Sequence, residues 1–403
     1  MRCLEGCGRK KTKCREMKRI IVSGGGTGGH IFPALSVANA LKRLDPEVEI
    51  LFVGAEGKME MEKVPEAGYR IVGLPVRGFK RQFTVRNIGV LINLWKSLRR
   101  AGAIVREFKP DAVVGVGGYA SGPVGRAAVK AGIPLILQEQ NSYAGVTNRL
   151  LMRRACRICV AYDGMERFFD RDKIVFTGNP VRKELLESVD RREDGIAYYG
   201  LDSSRRTVVV TGGSLGAATI NGAVRNSLDR IALWDGVQVL WQCGSLYYER
   251  LTRELDGKLP GNVRLTAFLK RMDLAYACAD IVVARAGAGT ISELCLLIKS
   301  ALLIPSPNVA EDHQTKNAMA LVNRGAAVML RDDEAGERLA DVVESLLKDR
   351  ELCLRLRVNI AAMAVANSDE RIAREILNVI DGKTVDICAV CIRETYRRGY
   401  PMP

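Results

Sequence analysis

The segment Ser23-Gly24-Gly25-Gly26-Thr27-Gly28-Gly29-His30 places five glycines and one imidazole in eight residues. Glycines let backbone N–H groups approach a bound group closely, and a helix start favours anions. The segment reads as a phosphate cradle that ends on a group titrating in the useful range for proton transfer. His30 can equally be a residue that packs the start of the helix. Two similar turns follow, Gly115-Val116-Gly117-Gly118-Tyr119-Ala120-Ser121-Gly122-Pro123 and Thr211-Gly212-Gly213-Ser214-Leu215-Gly216. One such turn is a weak signal. Three, each after a predicted strand, point to anionic ligands at the carboxyl edge of open α/β sheets. The first turn lacks the Lys-Ser/Thr pair of a P-loop. Glu49, near where a dinucleotide fold would place its ribose-binding acid, reads as part of a strand, so a transferase ranks above a dehydrogenase.

The elements that must position these turns alternate. Predicted strands at Ile20–Val22, 49–53, 69–73, 112–116, 134–138, 157–160 and 173–176 are separated by helical stretches, the first from about Pro33. The pattern restarts at Thr207–Val210 and continues with strands at 237–243, 263–266, 281–284, 301–304 and 327–330. Each half opens with a strand and a Gly-rich turn. The pattern predicts an α/β protein of two Rossmann-like domains with mainly parallel sheets, joined near Gly178-Asn179-Pro180. An amphipathic helix at Ser368–Ile380 closes the patterned chain. Residues 1–16 are expected to be a disordered extension and 381–403 a loose tail.

The 403 residues suit two domains, and 47% hydrophobic with 27% charged residues is a soluble balance. No apolar run reaches the length of a membrane span, and the basic N-terminus lacks the apolar core of a secretory signal. A cytoplasmic location is expected. The formal net charge is +15, and 76–109 carries nine Lys/Arg against Glu107 alone. Such a patch suits nucleic acid, acidic lipid head groups or a phosphorylated substrate, or is simply a solvated helix face. Within it, Phe79, Phe83, Ile88, Leu91 and Trp95 beside Lys80, Arg81 and Arg86 have the composition of an interfacial segment. Part of that stripe is expected in the core, with 77–86 as the surface anchor. The pairs Cys156/Cys159 and Cys388/Cys391 lie far apart and only two histidines are present, so no metal site is expected.

Seven segments in order are similar to the MurG family of glycosyltransferases: SGGGTGGHIFPAL, GVGGYASGP, QEQNSYAGVTNRLL, FTGNPVR, TGGSLGA, ARAGAGTISEL and EDHQTKNA. The resemblance covers about residues 17–380. It implies a GT-B fold with a cleft between the domains, and inverting transfer of GlcNAc from UDP-GlcNAc to the muramyl C4 hydroxyl of a polyprenyl-pyrophosphoryl acceptor, lipid I. It implies no cofactor, no metal and no nucleic acid. The partners implied are the two substrates, an anionic membrane surface on the cytoplasmic face, and cell-wall synthesis proteins. Residues 17–180 would form the acceptor and membrane-side domain, with the helix at about 367–380 packing back on it. Residues 181–366 would bind UDP-GlcNAc.

The resemblance also assigns residues. His30 is the candidate base, with Glu139 a second base or a partner of His30. Thr27, Gly28 and Gly29 face the cleft, and Asn141 reaches the donor from the N-terminal domain. On the donor side stand Arg182, Ser214 at the pyrophosphate, Leu269 at the uracil, and Ala288, Gly289, Thr290 and Glu293, with Glu293 on the ribose hydroxyls. Gln314 meets the sugar, since an amide both donates and accepts. Gln138 stands where the family commonly has histidine, which argues against a charge relay there.

Overall fold

A computed structural model describes residues 17–26, 28–76, 86–213 and 215–382. The first half folds around a seven-stranded parallel sheet: β1 (Arg19–Ser23), β2 (Glu49–Ala55), β3 (Arg70–Leu74), β4 (Ala112–Gly115), β5 (Leu135–Glu139), β6 (Arg157–Val160) and β7 (Ile174–Phe176), in the order β3-β2-β1-β4-β5-β6-β7. The second half is a six-stranded parallel sheet: β8 (Arg206–Thr211), β9 (Val237–Gln242), β10 (Val263–Thr266), β11 (Ile281–Ala284), β12 (Ser300–Leu303) and β13 (Val328–Met329), in the order β10-β9-β8-β11-β12-β13. Every pairing is parallel, from Ser23 opposite Val53 and Gly115 to Thr211 opposite Ala284 and Gln242.

Parallel strands need helical crossovers, so helices cover both faces and the strands are apolar on both. β1 shows this directly. Ile20 and Val22 pack into one cluster with Val37, Leu41 and Ile376, while Ile21 between them packs with Val105, Phe108 and Val124 on the opposite face. In each sheet the chain order reverses between a first strand and its non-consecutive neighbour, β1 and β4 in one, β8 and β11 in the other. Ligands of open α/β sheets bind in the crevice at such a reversal. All three glycine-rich turns leave strands that border a reversal: β1, β4 and β8.

The helix after β1 begins at Gly28 and ends at Leu44, five residues earlier than its sequence suggests. Glycine and Pro33 read as breakers, yet the first turn tolerates Gly28 and Gly29 because its N–H groups have no intrahelical partners, while Pro33 lies inside the helix and removes one backbone bond there. His30 thus sits on the first helical turn. The basic stretch also differs from expectation. On helix Arg86–Phe108, Ala101, Val105 and Phe108 are buried, but Ile92 and Trp95 are about half exposed, with the Arg99 guanidinium 4.7 Å from the Trp95 ring. Trp95 therefore faces outward rather than into the core. The side chains of Ile88 and Leu91, the segment 77–85, residues 1–16 and the tail from 383 lie outside the described residues. No described helix is long and apolar enough to cross a membrane.

The last helix, Ser368–Ile380, lies on the first half of the chain. Ile372, Ala373 and Ile376 are fully buried against helix Gly28–Leu44, and Arg43–Asp369 (2.5 Å) and Lys18–Asp381 (2.6 Å) flank the contact. The chain thus passes between the halves twice. The two passages touch at Gly178, where an added β-carbon would lie 2.6 Å from Val365 and from Ser368. Truncating Ile372 to Ala should cost about 2–5 kcal/mol through lost burial and the cavity left behind. Urea unfolding checks this. A change under 1 kcal/mol would mean that the helix does not hold the N-terminal half together.

Candidate active site

The first two glycine turns are one unit. A β-carbon on Gly118 (φ +83°) would sit 2.2 Å from the Gly25 carbonyl oxygen, and one on Gly117 (φ +94°) would sit 2.9 Å from His30 Nε2. Both positions require a positive φ and exclude any side chain. Ser121 Oγ lies 2.7 Å from the Ser23 carbonyl and 2.8 Å from that of Gly117, and Gln140 donates to the Val116 carbonyl at 2.7 Å. Beneath the first turn, Glu60 is 1% exposed. The Gly26 N–H donates to both its oxygens at 3.0 Å, and the Ala55 N–H to one at 2.9 Å. This carboxylate fixes the turn, and sequence reasoning missed it because it lies on a short helix with no motif of its own.

His30 faces this unit and also the other half of the chain. Burial and the nearby His313 push its pKa down to about 4, against the weaker upward pull of Glu60. The imidazole is therefore neutral at pH 7, the form that can take up a proton.

Glu139 is held on both of its oxygens. It is buried, and its two oxygens accept from the Asn141 and Gly145 N–H groups at 3.1 and 2.9 Å and from the Asn141 and Asn148 side chains at 3.2 and 2.8 Å. Burial raises its pKa while these hydrogen bonds oppose the rise. With both oxygens occupied, Glu139 shapes the 140–148 loop and aims Asn141 across the cleft. Asn141 Oδ1 accepts from Asn317 at 3.1 Å, and the Ser142 N–H donates to Asn317 Oδ1 at 2.8 Å. Asn179 donates to the Gln140 carbonyl at 2.9 Å and to Ser292 at 3.1 Å, and takes a bond from Gln138 at 3.0 Å. Gln138 is thus a buried structural amide. Asn317 was also missed. Its signal was spacing, since residues three and four after Gln314 and His313 share their helix face.

The opposite wall is built on helices Ala288–Leu296 and His313–Val322. Ala288, Gly289 and Thr290 form the first turn of the former, where N–H groups have no intrahelical acceptors. Glu293, one turn on, is paired with Arg182 at 3.2 Å and accepts from the Tyr276 hydroxyl at 3.2 Å. Burial raises the Glu293 pKa and Arg182 draws it down. Tyr276 is buried and carries no sequence signal. Gln314 Oε1 accepts from the Ser306 N–H at 2.9 Å, which holds the amide over the β12 edge. Leu269 is buried beside the exposed Phe268. In the third turn, a β-carbon on Gly216 would meet the Cys243 carbonyl at 2.0 Å, so this turn too is packed without clearance. Thr27 and Ser214 lie outside the described residues. The structure brings His30, Asn141, Arg182, Glu293 and Gln314 to the facing edges of the two sheets.

The two-domain fold has known counterparts. Residues 20–160 match the glycosyltransferase family 28 N-terminal domain, and 207–372 match the glycosyltransferase family 28 C-terminal domain. Two relatives, from Parabacteroides distasonis and Phocaeicola vulgatus, are each 54% identical over 91% of this chain, covering 99% and 97% of their own lengths. Both are named UDP-N-acetylglucosamine–N-acetylmuramyl-(pentapeptide) pyrophosphoryl-undecaprenol N-acetylglucosamine transferase. The crystal structure of Acinetobacter baumannii MurG is similar at a TM-score of 0.73 and 27% identity, over 90% of this chain and 99% of that one. The chain belongs to the MurG family of glycosyltransferases. It has the GT-B architecture of that family, and MurG-type chemistry is the frame in which its cleft is to be understood.

The lowered pKa of His30 has a consequence for stability. The unfolded chain takes up the proton near pH 6.5, while the folded chain does so only near pH 4. Between these values the unfolded state binds more protons, so this contribution is lost as pH falls through the window. The denaturant midpoint should drop from pH 7 to pH 5 in the wild type and drop less in His30→Gln. Equal drops would place His30 in solvent.

Proposed function

We propose that this protein transfers GlcNAc from UDP-GlcNAc to the C4 hydroxyl of the muramyl sugar of an undecaprenyl-pyrophosphoryl-muramyl-pentapeptide, with inversion at the anomeric carbon. The observation that carries this reading is the neutral imidazole of His30, set on a glycine-turn unit of one domain and facing the Glu293, Arg182 and Gln314 wall of the other.

In this reading His30 takes the proton from the acceptor hydroxyl as its oxygen attacks C1 of GlcNAc. The bond from C1 to the diphosphate oxygen breaks, and UDP leaves with the electron pair. The leaving diphosphate is stabilised by N–H groups of the third turn and of the helix start at Ala288, because fixed dipoles aimed at developing charge lower the barrier. Glu293 accepts from the ribose hydroxyls with Arg182 and Tyr276 holding it in place. Gln314 and Asn141 bind the sugar from opposite sides, and Leu269 borders the uracil. The first two turns, stiffened by Glu60, hold the acceptor pyrophosphate. Glu139 acts as a positioning residue.

The exposed Ile92 and Trp95, beside Lys96 and Arg99, support docking of this face on an anionic membrane, where a polyprenyl acceptor resides. In this reading the protein is a peripheral enzyme of the cytoplasmic face.

A radiolabelled transfer assay from UDP-GlcNAc to a lipid I analogue tests the activity. In His30→Ala, turnover should fall by roughly 10²–10⁴-fold, the usual worth of a general base, while UDP-GlcNAc affinity is retained. Unchanged turnover would remove His30 from the chemistry. Neutralising Lys80, Arg81 and Arg86 together, with Trp95→Ser, should weaken co-sedimentation with phosphatidylglycerol vesicles, and added salt should weaken the wild type likewise. Undiminished binding by the variant would move the membrane contact elsewhere.

A further inference from the structure

A cavity of about 510 Å³ opens between the two domains on a part of the structure that the transfer reaction, as read above, leaves unused. Ser142, Tyr143, Tyr162 and Arg167 line it from the N-terminal half, and Lys316 and Arg324 from the other. Lys316, Met319, Ala320 and Asn323 all line it, so it lies along the face of helix His313–Val322 that adjoins the face bearing His313, Gln314 and Asn317.

Two of its lining side chains are incomplete. Ser142 and Tyr162 are 5% and 8% exposed, and neither hydroxyl has a hydrogen-bond partner. Buried hydroxyls are rarely left so, because burial removes the water that would otherwise satisfy them. The charge is also uneven. Arg324 is paired with Asp163 at 3.1 Å, but Arg167 donates to the Ser142 carbonyl at 2.6 Å, and Lys316 donates to the Glu311 carbonyl at 2.8 Å with its ammonium 3.3 Å from the Tyr143 ring centre. Two of the three cations are thus held by neutral groups, and each keeps N–H donors beyond those it uses. Two cations and the Ser142 hydroxyl around one space fit a carboxylate.

We propose that this cavity receives a carboxylate of the peptide carried by the muramyl acceptor. The proposal rests on the transferase reading above and deepens it. Muramic acid bears its peptide through the lactyl group at C3, the carbon next to the reacting C4 hydroxyl. The peptide therefore leaves the reaction centre at its edge. Ser142 directly follows Asn141, the residue aimed across the cleft, and its own N–H is bonded to Asn317 on the far wall. The cavity begins one residue from the cleft. Its occupant would accept from Lys316, Arg167 and the Ser142 hydroxyl, and the enzyme would thereby distinguish a peptide-bearing acceptor from a bare one.

The experiment compares three soluble short-lipid acceptors: one with the full pentapeptide, one with the same peptide fully amidated at its carboxyls, and one with a lactyl amide and no peptide. Wild type, Lys316→Met and Ser142→Ala are assayed on each, with UDP-GlcNAc binding measured separately. Wild type should favour the charged peptide acceptor in KM. Each variant should raise that KM by about tenfold or more, the usual worth of a hydrogen bond to a charged group. KM for the other two acceptors, kcat and UDP-GlcNAc affinity should stay unchanged. Ser142→Ala removes one oxygen and keeps the backbone bond to Asn317, so it guards against a folding artefact. Equal effects on all three acceptors, or no effect on any, would overturn the assignment while leaving the transferase reading intact. Wild-type failure to glycosylate any acceptor would sink both.

Discussion

Gly118 approaches Gly25 so closely that a methyl group would land 2.2 Å from the Gly25 carbonyl oxygen. Most of the cleft depends on this contact. It brings the turn after β1 against the turn after β4 at the point where strand order reverses, and it leaves backbone instead of side chains facing the cavity. It also presses Gly117 against the imidazole of His30, so main chain borders the candidate base. Glu60 completes the unit from below, with one carboxylate holding two N–H groups that would otherwise point at each other's charge.

The second half mirrors this with different groups. The turn after β8 packs against Cys243 and Gly244 with the same lack of clearance. The helix at Ala288 places Glu293 where Arg182, coming from the domain joint, meets it. The amide contacts of Asn141 with Asn317, and of Asn179 with Ser292, span the halves through groups that both donate and accept. Amides of this kind are also the groups that a sugar's hydroxyls can pair with.

Periodicity and turn chemistry made much of the architecture legible. Strands such as Arg157–Val160, Val263–Thr266 and Ile281–Ala284, and the helix Ser368–Ile380, lie where hydrophobic pattern alone puts them. The helix starts at Gly28 rather than near Pro33 because the first turn tolerates glycine and the helix continues through the proline, although both residue types break helices in general. Trp95 was assigned partly to the core because an apolar residue at helical spacing usually faces inward. Its outward position depends on which face of the helix the neighbouring helix Ser121–Lys130 covers.

By itself the sequence determined the alternation of strands and helices, the three glycine turns, and the family to which the chain belongs. These follow from local preferences and from short motifs whose residues must stand together in the chain. The tertiary structure decided the rest. It showed the hydrogen bonds that occupy both oxygens of Glu139, placed His313 close enough to His30 to lower the pKa of His30, and put Glu60, Tyr276 and Asn317 at the site. Each of those outcomes depends on burial and on partners far away in sequence: Glu60 acts on a turn 34 residues earlier, and Asn317 on a loop 175 residues earlier. Desolvation and long-range hydrogen bonding have no local signature, so only the folded chain could assign them.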